Sequence, residues 1–219
     1  MKITKYPQSC VLINYKGKNI LIDPGTFVYE QTDIEPKDWK NIDILLLTHE
    51  HFDHTDIGAI KEILENNEPI IITNKSVQNL LKKENIDSEA VRVGEAKLVG
   101  DINIKGVYSK HGPIPGNRQI PETTGFLIDD KIYHPGDAAY MKEKPYADVV
   151  LVPICGTVVM DYKEAVKFVN EIGCKLAIPI HYSNPKFQLG TELFEKEMEE
   201  KGEVNYKILK EKETLDFED

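Results

Sequence analysis

Arginine is nearly absent from this chain. Of its 27 basic residues only Arg92 and Arg118 are arginines, so recognition of phosphate by several arginine forks is excluded. Surplus positive charge is missing too: 37 acidic residues leave a formal net charge of −10. That balance argues against a nucleic-acid backbone as partner, because phosphate binding needs an excess of cations. Cysteines number three, Cys10, Cys155 and Cys174, with no CxxC spacing. They read as buried reduced thiols rather than as a disulfide framework. No apolar run approaches the ~20 residues of a membrane span; the longest cover 44–47 and 149–155, the latter broken by Pro153. The first residues, Met-Lys-Ile-Thr-Lys-Tyr-Pro, contain no apolar stretch of signal-peptide length. A cytoplasmic protein without a membrane partner is the expectation. Neither repeats nor low-complexity linkers break the chain, and 219 residues suffice to bury a core without staples. One domain over 1–219 is expected.

The hydrophobic pattern alternates strands with helices. Residues 9–15 and 19–23 read as a hairpin around Lys16-Gly17-Lys18, closed by the turn Asp23-Pro24-Gly25. Residues 42–47 form a continuous apolar strand, which should be covered on both faces. Helices are predicted over 56–65, from Asn74 to Lys83, over 161–173 and over 191–201. The third carries a capping box, Asp161 with Glu164, and stops at Gly173. Strands are predicted over 69–73, 102–109, 124–128, 131–134, 149–152, 176–180 and 205–209. Such a pattern suits two sheets packed face to face with helices outside.

The densest chemical signal begins where the strand at 42–47 ends. The run Thr48-His49-Glu50-His51-Phe52-Asp53-His54 holds four potential metal ligands within six residues. In an extended segment residues two apart point the same way, so His49 and His51 can close on one ion. Asp53 and His54, where the chain turns toward the next helix, can reach a second. A helix would separate His49 from His51, since helical neighbours are three or four apart. Six residues cannot complete two sites, and three more ligand-type residues lie just past predicted strands: His111, Asp137 and His181. Together they make five histidines and two aspartates.

These motifs resemble the metallo-β-lactamase superfamily. Thr48-His49-x-His51-x-Asp53-His54 matches its HxHxDH signature, Asp23 matches the aspartate after its early strand, and His111, Asp137 and His181 match its later ligand positions in order. Val152-Pro153-Ile154-Cys155-Gly156, Met160-Asp161-x-x-Glu164-Ala165 and Ile178-Pro179-Ile180-His181-Tyr182 are similar to a branch of compact members that includes L-ascorbate-6-phosphate lactonase. The resemblance implies an α+β fold, the four-layer αββα metallo-β-lactamase-like sandwich. It implies that His49, His51 and His111 hold a first ion and Asp53, His54 and His181 a second, with Asp137 bridging and Asp23 supporting the ligands from behind. Zinc is the expected metal, with manganese or iron as alternatives because the ligand types suit all three. Asp137 stands where common lactamases carry cysteine. Ala138 follows it where the family often has threonine, and His134 reads as structural.

The resemblance further implies a dinuclear metal-dependent hydrolase. A metal-bridging hydroxide would act on a small, anionic lactone or (phospho)ester, with Asp53 orienting the nucleophile and Asp137 joining the ions. Arg118, in the loop after His111, and Tyr182, after His181, are the candidate substrate contacts. Competing readings are a phosphodiesterase or nuclease of the same fold, an iron-dependent sulfur dioxygenase, and a non-catalytic metal-sensing module. The first lacks a basic stripe, the second keeps one occupied site, and the third would have a degenerate ligand set. A small molecule is the expected partner; the sequence leaves the oligomeric state open.

Overall fold

A computed structural model describes residues 1–114, 116, 118–184 and 190–218. The chain divides into two compact units, residues 1–91 with 209–219, and residues 92–208.

The first unit contains β1 (Lys2–Lys5), β2 (Val11–Tyr15), β3 (Lys18–Ile22), α1 (Thr26–Gln31), β4 (Ile44–Leu47), α2 (Ile57–Leu64), β5 (Ile70–Thr73), α3 (Lys75–Lys83) and β6 (Glu89–Ala90). The second contains β7 (Ala96–Val99), β8 (Ile102–Ser109), β9 (Thr123–Ile128), β10 (Ile132–His134), β11 (Val149–Pro153), α4 (Tyr162–Ile172), β12 (Leu176–Ile180), α5 (Glu192–Lys201) and β13 (Asn205–Tyr206). The chain then returns to the first unit as β14 (Thr214–Asp216).

Each unit is built on one seven-stranded sheet, in the orders β14-β1-β2-β3-β4-β5-β6 and β13-β12-β11-β10-β9-β8-β7. Both sheets are mixed in the same way. In the first, β14/β1, β1/β2 and β2/β3 are antiparallel and β3/β4, β4/β5 and β5/β6 parallel. In the second, β7/β8, β8/β9 and β9/β10 are antiparallel and β10/β11, β11/β12 and β12/β13 parallel.

Local sequence explains most elements. The β2–β3 hairpin turns on Lys16 and Gly17, both at positive φ, the geometry whose twist matches paired strands. All of β4 is buried, as its unbroken Ile-Leu-Leu-Leu run requires. Asp56 and Asn74 accept from Ala59 and Val77 as N-caps of α2 and α3. The capping box of Asp161 and Glu164 opens α4, and Gly173 ends it in the left-handed conformation.

Each unit has its own apolar cluster. Leu21, Leu45, Ile60, Ile63, Val77 and Leu81 centre the first, and Val150, Val152, Phe168, Val169, Ala177 and Phe194 the second. Each such side chain contributes roughly 1.5–3 kcal/mol when fully buried. The strand expected over 205–209 stops at Tyr206; Leu209 already belongs to the first unit. Among the described residues no helix is long and apolar enough to cross a membrane.

Candidate metal centre

In the first unit the chemistry gathers past the C-terminal ends of the parallel neighbours β3 and β4. Ligands commonly sit at that end of parallel strands. Asp23 follows β3 at φ 48° and is fully buried. Its backbone N–H donates to the Leu46 carbonyl (3.0 Å), tying the end of β3 to that of β4. Its carboxylate accepts three hydrogen bonds: from the Thr48 N–H at 2.8 Å, from the Thr48 hydroxyl at 2.6 Å, and from His54 Nδ1 at 2.8 Å. The Thr48 hydroxyl thus has its proton committed to Asp23, and its oxygen accepts from His49 Nδ1 at 3.1 Å.

The loop from 48 to 55 is held on every side. Thr55 donates its hydroxyl proton to the His49 carbonyl, and the His54 and Thr55 N–H groups donate to the His51 carbonyl. Asn74, the cap of α3, donates to the Thr48 carbonyl, and Thr26 reaches the Phe52 carbonyl through both its N–H and its hydroxyl. Gly25 lies under this loop. A Cβ there would stand 2.0 Å from the Asp53 carbonyl carbon, so only glycine lets the two backbones approach.

Two ligand pairs result. His49 Nε2 lies 3.1 Å from His51 Nδ1, and His54 Nε2 lies 3.8 Å from Asp53 Oδ2. Phe52, between them, is 61% exposed, its ring set edge-on to Phe27 at 5.6 Å.

In the second unit β8, β10 and β12 run in one direction, since β9 is antiparallel to both β8 and β10 while β11 and β12 continue parallel to β10. His111, Asp137 and His181 therefore emerge at the same end, and all three are buried. His181 Nε2 is 3.0 Å and His111 Nε2 3.5 Å from one oxygen, Asp137 Oδ2. His111 Nδ1 donates to the Gly112 carbonyl at 2.8 Å. His134 is buried and its Nδ1 accepts from the Gly136 N–H at 3.1 Å, which shapes the turn that presents Asp137.

Burial alone would lower the His181 pKa, but the Asp137 carboxylate and Cys155 push it up to about 10. Burial would likewise raise the Cys155 thiol, and the hydrogen bond with His181 brings it below the usual thiol range. The site of His181 thus favours positive charge, and a metal cation would displace the proton there.

The residues present fit divalent metal. His49, His54 and His111 each commit Nδ1 to a partner in the chain, a hydroxyl, a carboxylate and a carbonyl, so the proton sits on Nδ1 and the lone pair on Nε2. That is how metal-binding imidazoles are held. The 3.1 Å between His49 and His51 is close to the roughly 3.3 Å that separates two imidazole nitrogens on one tetrahedral zinc. Within the first unit the ligand atoms of His49 and His51, and those of Asp53 and His54, lie within 4.8 Å of each other, as do those of His111 and Asp137 in the second.

Arg118 is exposed in the segment between β8 and β9, and positions 115 and 117 of that loop lie outside the described residues. Tyr182 is half-buried against the apolar cluster of the second unit. Sequence reasoning passed over three contributors. Thr48 links Asp23 to His49, Gly25 admits the ligand loop, and Gln8 donates from Nε2 to Asp53 Oδ2 at 3.2 Å. Thr48 and Gly25 adjoin recognisable motifs; Gln8 lies 45 residues from its partner, with no periodicity to announce it.

The beta-lactamase superfamily domain profile matches residues 2–181. A UPF0173 protein of Pyrococcus abyssi is 32% identical over 189 residues, covering 83% of each chain. A UPF0173 metal-dependent hydrolase of Geobacillus thermodenitrificans is 29% identical over 197 residues, covering 84% of this chain and 86% of its own. Among solved structures, the metallo hydrolase Igni18 of Ignicoccus hospitalis superposes with a TM-score of 0.78 at 22% identity, covering 99% of both chains.

Proposed function

Because the chain belongs to the beta-lactamase superfamily, has its α+β fold and is a metal-dependent hydrolase, we propose that residues 1–219 make a single dinuclear hydrolase domain. In this reading His49, His51 and His111 would hold one divalent ion, Asp53, His54 and His181 would hold the other, and Asp137 would be a ligand common to both. The observation that carries this reading is the tautomer control of His49, His54 and His111, each with Nδ1 engaged and Nε2 left as the donor atom. Zinc is the metal this imidazole-rich set suits best. Two such ions, when bound, provide hydroxide near neutral pH and polarise the oxygen of a carbonyl or phosphoryl group.

The rest of the work falls to the chain. Asp23 keeps His54 and Thr48 fixed, so the ligand loop is set before anything binds. Asp137 balances positive charge beside His111 and His181. Asp53 would orient the nucleophilic water as well as serve as a ligand. Arg118, on its exposed loop, pairs with an anionic group of a small lactone or (phospho)ester, and the Tyr182 hydroxyl adds a contact next to His181. The exposed ring of Phe52 supports an apolar part of the substrate beside the ligands.

The test is metal analysis of protein purified without added metal, followed by a hydrolysis screen of lactones, phosphodiesters and thioesters on zinc-reconstituted protein. Two equivalents of metal and turnover of one class are expected; one equivalent of iron with oxygen consumption would overturn the reading. Arg118→Ala should raise KM for an anionic substrate with kcat nearly unchanged, and equal kinetics would remove Arg118 from the site.

A further inference from the structure

We propose that Gln8 is a positioning residue for Asp53, selecting the carboxylate oxygen offered to the ion that Asp53 shares with His54; this rests on the dinuclear reading above. Gln8 sits in the turn between β1 and β2, which the Tyr6 N–H closes onto the Cys10 carbonyl at 2.9 Å and the Cys10 N–H onto the Pro7 carbonyl at 3.2 Å. Its backbone is left-handed, φ 57°, a conformation a non-glycine residue rarely takes, and its side chain is 1% exposed. From there its Nε2 donates to Asp53 Oδ2 at 3.2 Å. A carboxylate can only accept, so the amide faces Asp53 with its N–H end. The same oxygen is the one 3.8 Å from His54 Nε2.

A carboxylate pivots easily about its last bond, and Asp53 stands on a loop whose anchoring bonds, through Thr26, Thr55 and Asn74, run to its backbone. The Gln8 amide supplies a restraint on the side chain itself. It pins Oδ2 in the direction of His54, so that the two donors meet an ion already aligned. Groups that orient a ligand in this way typically govern 10- to 100-fold of metal affinity.

The experiment measures zinc affinity of metal-free protein by competition with a chelator, alongside the thermal midpoint of the metal-free protein. Gln8→Met keeps side-chain length and the same backbone demand but removes the donor. It should weaken one of the two zinc equivalents by about 10- to 100-fold, leave the other at the wild-type value, and leave the metal-free midpoint close to wild type. In an Asp53→Ala background the same change should have no further effect on zinc affinity, because Gln8 acts through Asp53. If Gln8→Met binds both equivalents as wild type does, or weakens zinc equally with and without Asp53, the proposal falls. Should Gln8→Met fold poorly, Gln8→Leu, which also removes the donor without adding charge, gives the same comparison. Wild-type protein that takes up no zinc would instead overturn the dinuclear reading on which this rests.

Discussion

Asp23 does its work at the scale of single atoms. One buried carboxylate receives His54 Nδ1 and both donors of Thr48, and through Thr48 it reaches His49. Asp23→Asn replaces one acceptor oxygen by an NH2 group that faces a donor in either orientation, the Thr48 N–H on one side or the Thr48 hydroxyl and His54 on the other. Its expected outcome is a 10- to 100-fold loss of zinc affinity, measured by chelator competition; unchanged affinity would show that His54 needs no such support. Lys5 illustrates a different situation, a charge for which burial outweighs the opposing pull of Glu211 and Cys10. It is fully buried in β1, its ammonium donates to the Tyr6 carbonyl at 3.1 Å, and burial pushes its pKa down to about 8. Below pH 8 both folded and unfolded chains carry the proton, and the burial cost is present in full. Between about 8 and the ordinary 10.5 the folded chain has released a proton that the unfolded chain still binds, so this contribution to stability rises with pH. Burial raises the neighbouring Tyr6 and Cys10 instead, which acts the other way at high pH. The comparison with Lys5→Met isolates the lysine: the variant should be more stable at pH 7 by up to about 3 kcal/mol, with the gap closing toward pH 10. Urea unfolding at several pH values measures it, and a gap independent of pH would refute the assignment.

At the scale of elements, the ligand loop depends on what lies beneath it. Gly25→Ala forces a methyl into the Asp53 and His54 backbone, and α1 or the loop must shift. We expect a destabilisation of about 1–3 kcal/mol together with weakened zinc binding, read by thermal denaturation and metal titration. Retained affinity would mean that the close approach is incidental. The legibility of elements followed the strength of their local signals. Asp161 with Glu164, Asn74 and the unbroken apolar run of β4 each carry a physical cause within a few residues, and their elements lie where the sequence puts them. The six-residue α1 has no side-chain N-cap, and β6 has only two residues, so neither has a local signal to read. The short polar β14 is a strand only because β1 offers it an edge. The candidate site divides the same way. The closely spaced histidines His49, His51 and His54 after a buried strand are legible because spacing and context coincide. The contact of Gln8 with Asp53 is a product of tertiary folding, as is the role of Thr48.

At the scale of the whole molecule, metal and stability should be linked. A ligand that binds only the folded state stabilises it by mass action, about 2.7 kcal/mol per site at 100 times Kd. Adding zinc to chelator-treated protein should raise the thermal midpoint in a concentration-dependent way, and a midpoint indifferent to zinc would contradict the proposed ligand set. Two divalent ions would also take the formal charge from −10 to about −6, so an acidic protein can present a cationic centre to an anionic substrate.

The pairing of β14 with β1, Lys2 beside Asp216 and Thr4 beside Thr214, has a consequence for biosynthesis. The strand that completes the first sheet leaves the ribosome only after the whole of residues 92–208. Until then β1 presents an open edge, the kind of surface on which nascent chains mispair. The second unit, drawn from one continuous stretch, can fold while the first still waits for its final strand.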